Sequence, residues 1–234
     1  MAMTTLDLGS IGPLISAIGA LGVAAAGLVD ASKAFGGGVS NAGFARIERA
    51  IRLFLPDLRE ARSRSGTETN LRTSILPIVR ANWINGMATS DQRDAARALI
   101  KMELRSDNAE TMSQVAEVDP TLLKQIAALI ESGGSLSDEQ KSALGRFDLA
   151  LASILDAAYQ EASQCYRNVS KLAAGVVAVV MGVLGSYIVF QGWSYALEGF
   201  GCGVLAVPLA PITKDLVSAL TAGVQVAQAV RRKK

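Results

Sequence analysis

Histidine is absent from the 234-residue chain. Its absence excludes imidazole activation of a nucleophile, histidine-ligated zinc or haem, and histidine-based pH sensing. Two cysteines, Cys165 and Cys202, are too few for a thiolate metal cluster or a disulfide framework. Aromatic residues make up 5% of the chain and charged residues 19%, so large stretches carry neither. No Walker-type glycine loop, no dinucleotide fingerprint in a strand–turn–helix setting and no HExxH motif occurs. These absences argue against the mainstream enzyme classes, since only scattered carboxylates and hydroxyls are left for chemistry, and the expectation is a non-enzyme without cofactor or metal.

The charge that is present is unevenly placed. Residues 46–171 hold 34 of the 44 charged side chains, 17 basic and 17 acidic. That balance leaves no electrostatic footprint for nucleic acid. Outside this region the chain contains uncharged runs of 22 residues, 8–29, and of 26 residues, 172–197. Soluble domains are not built this way, and the pattern predicts an integral membrane protein with a polar insert.

At 1.5 Å rise per residue, the first run reaches roughly 33 Å as a helix, enough to cross a hydrocarbon core. A signal peptide is the competing reading, but its basic n-region is missing, since only Asp7 precedes the run. The second span, residues 172–190, reads LAAGVVAVVMGVLGSYIVF and is followed by Trp193 and Tyr195, which suit a headgroup belt. A third segment, residues 194–213, is interrupted by Glu198, Pro208 and Pro211. Proline removes a backbone donor, so its inner end is expected to bend or unwind, with a re-entrant loop as the alternative to a full crossing.

Orientation follows from the basic residues. Lys33, Arg46, Arg49 and Arg52 follow the first span, Arg167 and Lys171 precede the second, and Arg231, Arg232, Lys233 and Lys234 end the chain. Three crossings satisfy the positive-inside rule with the amino terminus outside and both the centre and the carboxyl terminus cytoplasmic. The expected architecture is therefore all-α: a first span and flanks over 1–35, a cytoplasmic helical domain over 36–170, two membrane segments over 171–213, and an interfacial or cytoplasmic helix with its basic tail over 214–234.

Within the insert, Gly36, Gly37 and Gly38 break the chain after the first span. Phe44, Ile47, Ile51, Phe54, Leu55 and Leu58 recur at helical spacing, and residues 63–70 form a polar linker. Ser90 is expected to cap a helix running to about Leu104, and Asp119 with Pro120 to open one that stops at Gly133 and Gly134. Ser137 and Gln140 form a capping box, after which no proline occurs until Pro208. One helix is thus expected from Asp138 into the second span. Along it Leu144, Phe147, Leu151, Ile154, Ala158, Ala162, Cys165 and Val169 trace a stripe that needs cover, from the shorter helices, from another subunit, or from both.

Small residues recur every fourth position in both clear spans: Ser16, Ala20 and Ala24, then Ala174, Ala178, Gly182 and Ser186. Such rows let helix backbones approach closely in lipid, either between copies or between the chain's own spans. Glu198 is a candidate for an ion path or for an interfacial carboxylate. Gly199, Gly201 and Gly203 fit either a pore constriction with exposed carbonyls or close helix contact. The four terminal basic residues are positioned for anionic lipid headgroups.

The segments GRFD at Gly145 to Asp148, YRN at Tyr166 to Asn168 and PLAPITKDL at Pro208 to Leu216 resemble segments of uncharacterised bacterial integral membrane proteins. The resemblance implies a bacterial inner-membrane setting and carries no activity. The reading that follows is a self-associating inner-membrane scaffold or pore-forming assembly whose partners are membrane lipids and further copies of itself. The alternative is an accessory anchor whose cytoplasmic helices, through the stripe, dock a soluble protein.

Overall fold

The computed structural model describes residues 8–56, 58 and 71–210. Among them the regular structure is entirely helical. The helices are α1 (Leu8–Ala31), α2 (Ser40–Phe54), α3 (Leu71–Ile84), α4 (Thr89–Met102), α5 (Ala109–Ala116), α6 (Pro120–Ser132) and α7 (Asp138–Phe190), with α8 helical over the described residues 196–210. The linker at residues 63–70, Pro211 and the whole of 214–234, including Arg231, Arg232, Lys233 and Lys234, lie outside the described residues.

The chain forms two compact units. One is Ser40–Tyr166; the other combines Met1–Val39 with Arg167–Lys234. The boundaries of the first unit fall at 39/40 and 166/167. The Gly37 N–H donates to the Lys33 carbonyl at 3.0 Å, which ties the glycine turn to the 3₁₀ turn Ser32–Ala34 that follows α1. Gly36, Gly37 and Gly38 all take positive φ, 68°, 97° and 47°, a run that side chains resist.

The helix ends in the unit Ser40–Tyr166 follow their capping chemistry. Asp119 accepts from the Leu122 N–H at 2.9 Å, Pro120 occupies the first helical position, and Gly133 closes α6 in the left-handed region. Ser137 and Gln140 exchange both capping-box bonds, at 2.9 and 3.2 Å, before α7 runs for 53 residues. Ser90 is a correction. The helix begins one residue earlier, at Thr89, with no side-chain cap; the Ser90 hydroxyl turns to Asp91 at 3.0 Å, and the helix ends at Met102.

Each helix of this unit contributes its apolar face to one core. Phe44, Ile47, Ile51 and Phe54 come from α2, Ile75 and Val79 from α3, Ala96 and Ile100 from α4, and Met112 and Leu123 from α5 and α6. From α7 come Phe147, Leu151, Leu155, Tyr159 and Ala162. Pro77 lies inside α3 on its exposed side, away from the core face that Ile75 and Val79 supply. Gly43 is required by close approach: a Cβ there would lie 2.7 Å from the Ala162 carbonyl and from the Trp83 ring.

The other unit packs α1, the end of α7 and α8 through small residues. Ala25, Ala178 and Ala206 are buried together, with Ile18, Leu21, Val177, Met181 and Val207 around them. After a turn through Gln191 and Gly192 and a 3₁₀ turn at Trp193–Tyr195, α8 folds back along α7. Gly199 meets Gly182 and Ser186, while Gly203 meets Val179 and Ala178, so the two helices run antiparallel. At the tip Tyr187 pairs with Trp193 at 4.8 Å and Phe190 with Tyr195 at 4.5 Å.

Two helices are long and apolar enough to cross a membrane, one near the amino terminus and the other α7. Only 28% and 17% of their most apolar windows are buried, whereas the core helix of a soluble protein would be mostly covered. The described part of α8 is helical through Pro208, so the chain does not unwind there; Pro211 and the rest of the segment's inner end lie outside the described residues.

Candidate functional site

The two faces of α7 beyond Lys171 are sharply different. Ala174, Ala178, Gly182 and Ser186 form the inward row: Ala174 and Ala178 are buried, and Gly182 and Ser186 abut Gly199. Leu172, Val176, Val180, Leu184 and Ile188 form the opposite row, and each is at least half exposed. The small row therefore packs within the chain. In α1 the arrangement is reversed. Gly22 packs against the Ala206 backbone, whereas Ala20 and Ala24 are exposed and Ser16 is half-buried. A Cβ added at Gly27 would meet nothing within 4 Å.

Glu198 is exposed in the first turn of α8, away from the buried glycines. Gly199 and Gly203 are buried against α7, but Gly201 points elsewhere, with open space where its Cβ would be. Because the segment is helical, residues at i and i+4 share a face and the middle glycine does not. Glu198, Gly199, Gly201 and Gly203 are thus not brought to one surface, and no extended, carbonyl-exposing loop forms here.

The stripe on the first part of α7 is covered by the unit's own helices. Phe147, Leu151, Ala158 and Ala162 are buried, and Leu144, Ile154, Cys165 and Val169 are half-buried. Phe147 meets Phe54 edge-on at 6.3 Å. The Cys165 thiol donates to the Ala42 carbonyl at 3.6 Å. Cys165 and Cys202 are both free thiols. Among the described residues, no three His, Cys, Asp or Glu side chains are grouped to hold a metal ion.

Sequence reasoning missed the polar clamp between α4 and α7. Arg97 grips Asp148 through two nitrogens, Nε at 2.8 Å, with Lys101 at 3.1 Å from the same carboxylate. Arg93 pairs with Asp156, and the buried Tyr159 hydroxyl donates to the Gln92 carbonyl at 3.2 Å. Burial pushes the Tyr159 phenol up. The signal was present: Arg93, Arg97 and Lys101 recur every four residues, and Asp148 and Asp156 are two helical turns apart.

The Arg97 hydrogen bond, supported by Lys101, holds the Asp148 carboxyl below its ordinary value of 3.8. A lowered folded-state value contributes stability above the unfolded value, and that contribution is lost as pH falls through the folded one. Asp148→Asn should lower stability at pH 7 by about 0.5–1 kcal/mol and flatten the acid side of the stability curve below about pH 4. Urea unfolding across pH 2–7 reads this; an unchanged acid limb would show that the clamp contributes nothing.

No known protein family, curated protein or solved structure matches the chain.

Proposed function

We propose that the protein is a non-enzymatic scaffold of the bacterial inner membrane that crosses the bilayer three times and associates with copies of itself. The amino terminus is outside, and residues 40–166 are in the cytoplasm. The observation that carries the membrane part is the exposed row Leu172, Val176, Val180, Leu184 and Ile188. Such a row is costly in water and costs nothing against lipid tails. The antiparallel return of α8 supports a third crossing, and the aromatic pairs at the tip fit the outer headgroup layer.

Self-association draws on α1, since the small residues of α7 are already used. Ala20, Ala24 and Gly27 on its outward face would let a second helix approach closely. The anchor reading keeps one observation: Met102 and Leu149 are exposed and follow directly after Lys101 and Asp148, which pair. A central pore has less support, because Gly199 and Gly203 face α7.

Two measurements test the proposal. With both native cysteines replaced by serine, Gln191→Cys in intact cells should react with a membrane-impermeant maleimide, and Gln114→Cys only after permeabilisation. The reverse pattern, or extraction of the chain by alkaline carbonate, would overturn the topology. In mild detergent the chain should have a discrete multiple of its 24.4 kDa mass, and Ala20→Leu with Ala24→Leu should reduce it to the monomer. A monomeric wild type would remove self-association and favour the anchor.

A further inference from the structure

Residues 172–213 carry a single charged side chain, Glu198, and the tip of the α7–α8 hairpin sets aromatic rings beside it. Tyr187, Phe190, Trp193 and Tyr195 fall within nine residues of sequence, and the turn at Trp193–Tyr195 folds them into two pairs. Tyr187 meets Trp193 at 4.8 Å with the rings tilted by 40°, and Phe190 meets Tyr195 at 4.5 Å with a tilt of 30°. Exposure runs from 40% at Tyr187 to 67% at Trp193, so ring surface stays open beyond each pairing. Ala196, which closes the 3₁₀ turn, is right-handed helical (φ −62°, ψ −33°), and α8 continues from it. Tyr195 and Glu198 are therefore about one helical turn apart, with roughly 5–6 Å between their Cβ atoms. Glu198 is exposed, and among the described residues no basic side chain pairs with it.

A carboxylate at the edge of a bilayer is costly without a positive partner. Helical side chains lean toward the amino-terminal end of their helix, and for α8 that end is the hairpin tip. The tip thus offers two kinds of negative surface side by side: the full charge of Glu198 and the open π-faces of Tyr195 and Trp193. Both attract an ammonium group, and neither attracts a phosphate. We propose that Glu198, Tyr195 and Trp193 form a binding site for the ammonium headgroup of a zwitterionic phospholipid in the outer leaflet. The inference rests on the membrane reading and names the lipid chemistry that the hairpin selects. The rings form an open rim rather than a closed cage, which favours a lipid over a dissolved ammonium compound. A lipid held in the leaflet by its acyl chains has already lost much of its translational freedom, so weak contacts suffice to retain it.

The test places the full chain in nanodiscs of phosphatidylethanolamine and phosphatidylglycerol in equal amounts. Native mass spectrometry then counts the lipids that stay with the chain on release. Glu198→Gln should lower the ratio of retained phosphatidylethanolamine to phosphatidylglycerol about fivefold. Trp193→Leu should lower it about twofold, whereas Trp193→Phe, which keeps a π-face, should leave it in place. Both positions are exposed, so the variants should enter the discs as the wild type does. Acetylating the lipid amine removes the cation and should abolish the preference in the wild type. Free phosphoethanolamine in large excess should leave the preference unchanged. A ratio unmoved by Glu198→Gln, equal retention of the acetylated lipid, or displacement by free phosphoethanolamine would each overturn the proposal. A chain that enters the discs without lipid preference refutes the headgroup site alone, whereas a chain that does not enter refutes the membrane reading beneath it.

Discussion

Gly203→Leu should destabilise the α7–α8 hairpin by about 3 kcal/mol or more, while Gly201→Leu, two residues away, should change stability by no more than about 0.5 kcal/mol. A Cβ at Gly203 would overlap the Val179 and Ala178 backbones. Backbone of a regular helix has no rotamer to give, so the two helices must move apart along their length. Gly201 has open space around its Cβ, and its added side chain would enter the lipid-facing surface of the proposed span. Gly182→Leu should behave like Gly203→Leu, because its Cβ would overlap the Gly199 carbonyl. Unfolding of the detergent-solubilised chain by sodium dodecyl sulfate titration, followed by tryptophan fluorescence, reads these differences; Trp193 at the hairpin tip reports directly. If Gly201→Leu proved as damaging as Gly203→Leu while the oligomer also fell apart, Gly201 would face a neighbouring copy. Equal tolerance at all three positions would mean that the helices do not depend on this close approach.

That contrast also shows where the sequence was readable. The spacing of Ala174, Ala178, Gly182 and Ser186 identifies a face, and the face is real. It does not identify what lies against that face, because alanine and glycine carry no charge or shape that selects a partner. The same ambiguity resolves oppositely in the first helix, where Ala20 and Ala24 point outward while Gly22 and Ala25 are packed. Capping chemistry was far more legible. Asp119, Pro120, Gly133, Ser137 and Gln140 act on backbone groups within four residues, so the chain needs no tertiary knowledge to announce them. Ser90 misled because the helix found its first bond one turn from Ala88, and the hydroxyl preferred Asp91. Helix α5 escaped notice for a related reason. Its eight residues are too short to display a period, and its burial depends on α2 and α6 lying beside it. Gly199, Gly201 and Gly203 fit a carbonyl-exposing constriction or close helix contact equally by spacing alone; the helix puts Gly199 and Gly203 one turn apart and makes them a contact surface.

Phe147→Ala should unfold the unit Ser40–Tyr166 more readily than any exposed replacement, costing about 3–5 kcal/mol, whereas Leu149→Ala should cost less than about 0.5 kcal/mol. Phe147 is fully buried and meets Phe54 at the far end of α2, so its removal opens a cavity between two helices that cannot close independently. Leu149 is 68% exposed on the same helix two residues later. The pair separates two meanings of the stripe from Leu144 to Val169. Cover from the chain's own α2, α3 and α4 makes the stripe a folding element, and loss of Phe147 then lowers stability whether or not any partner is present. A stripe kept for another protein or another copy would behave differently. Phe147→Ala would leave the thermal midpoint unchanged and weaken only association. Chemical unfolding and oligomeric mass measured on the same Phe147→Ala sample decide between them. The expected result is a lowered unfolding midpoint with the oligomer unaltered below it, since in the proposed scaffold the copies meet through α1.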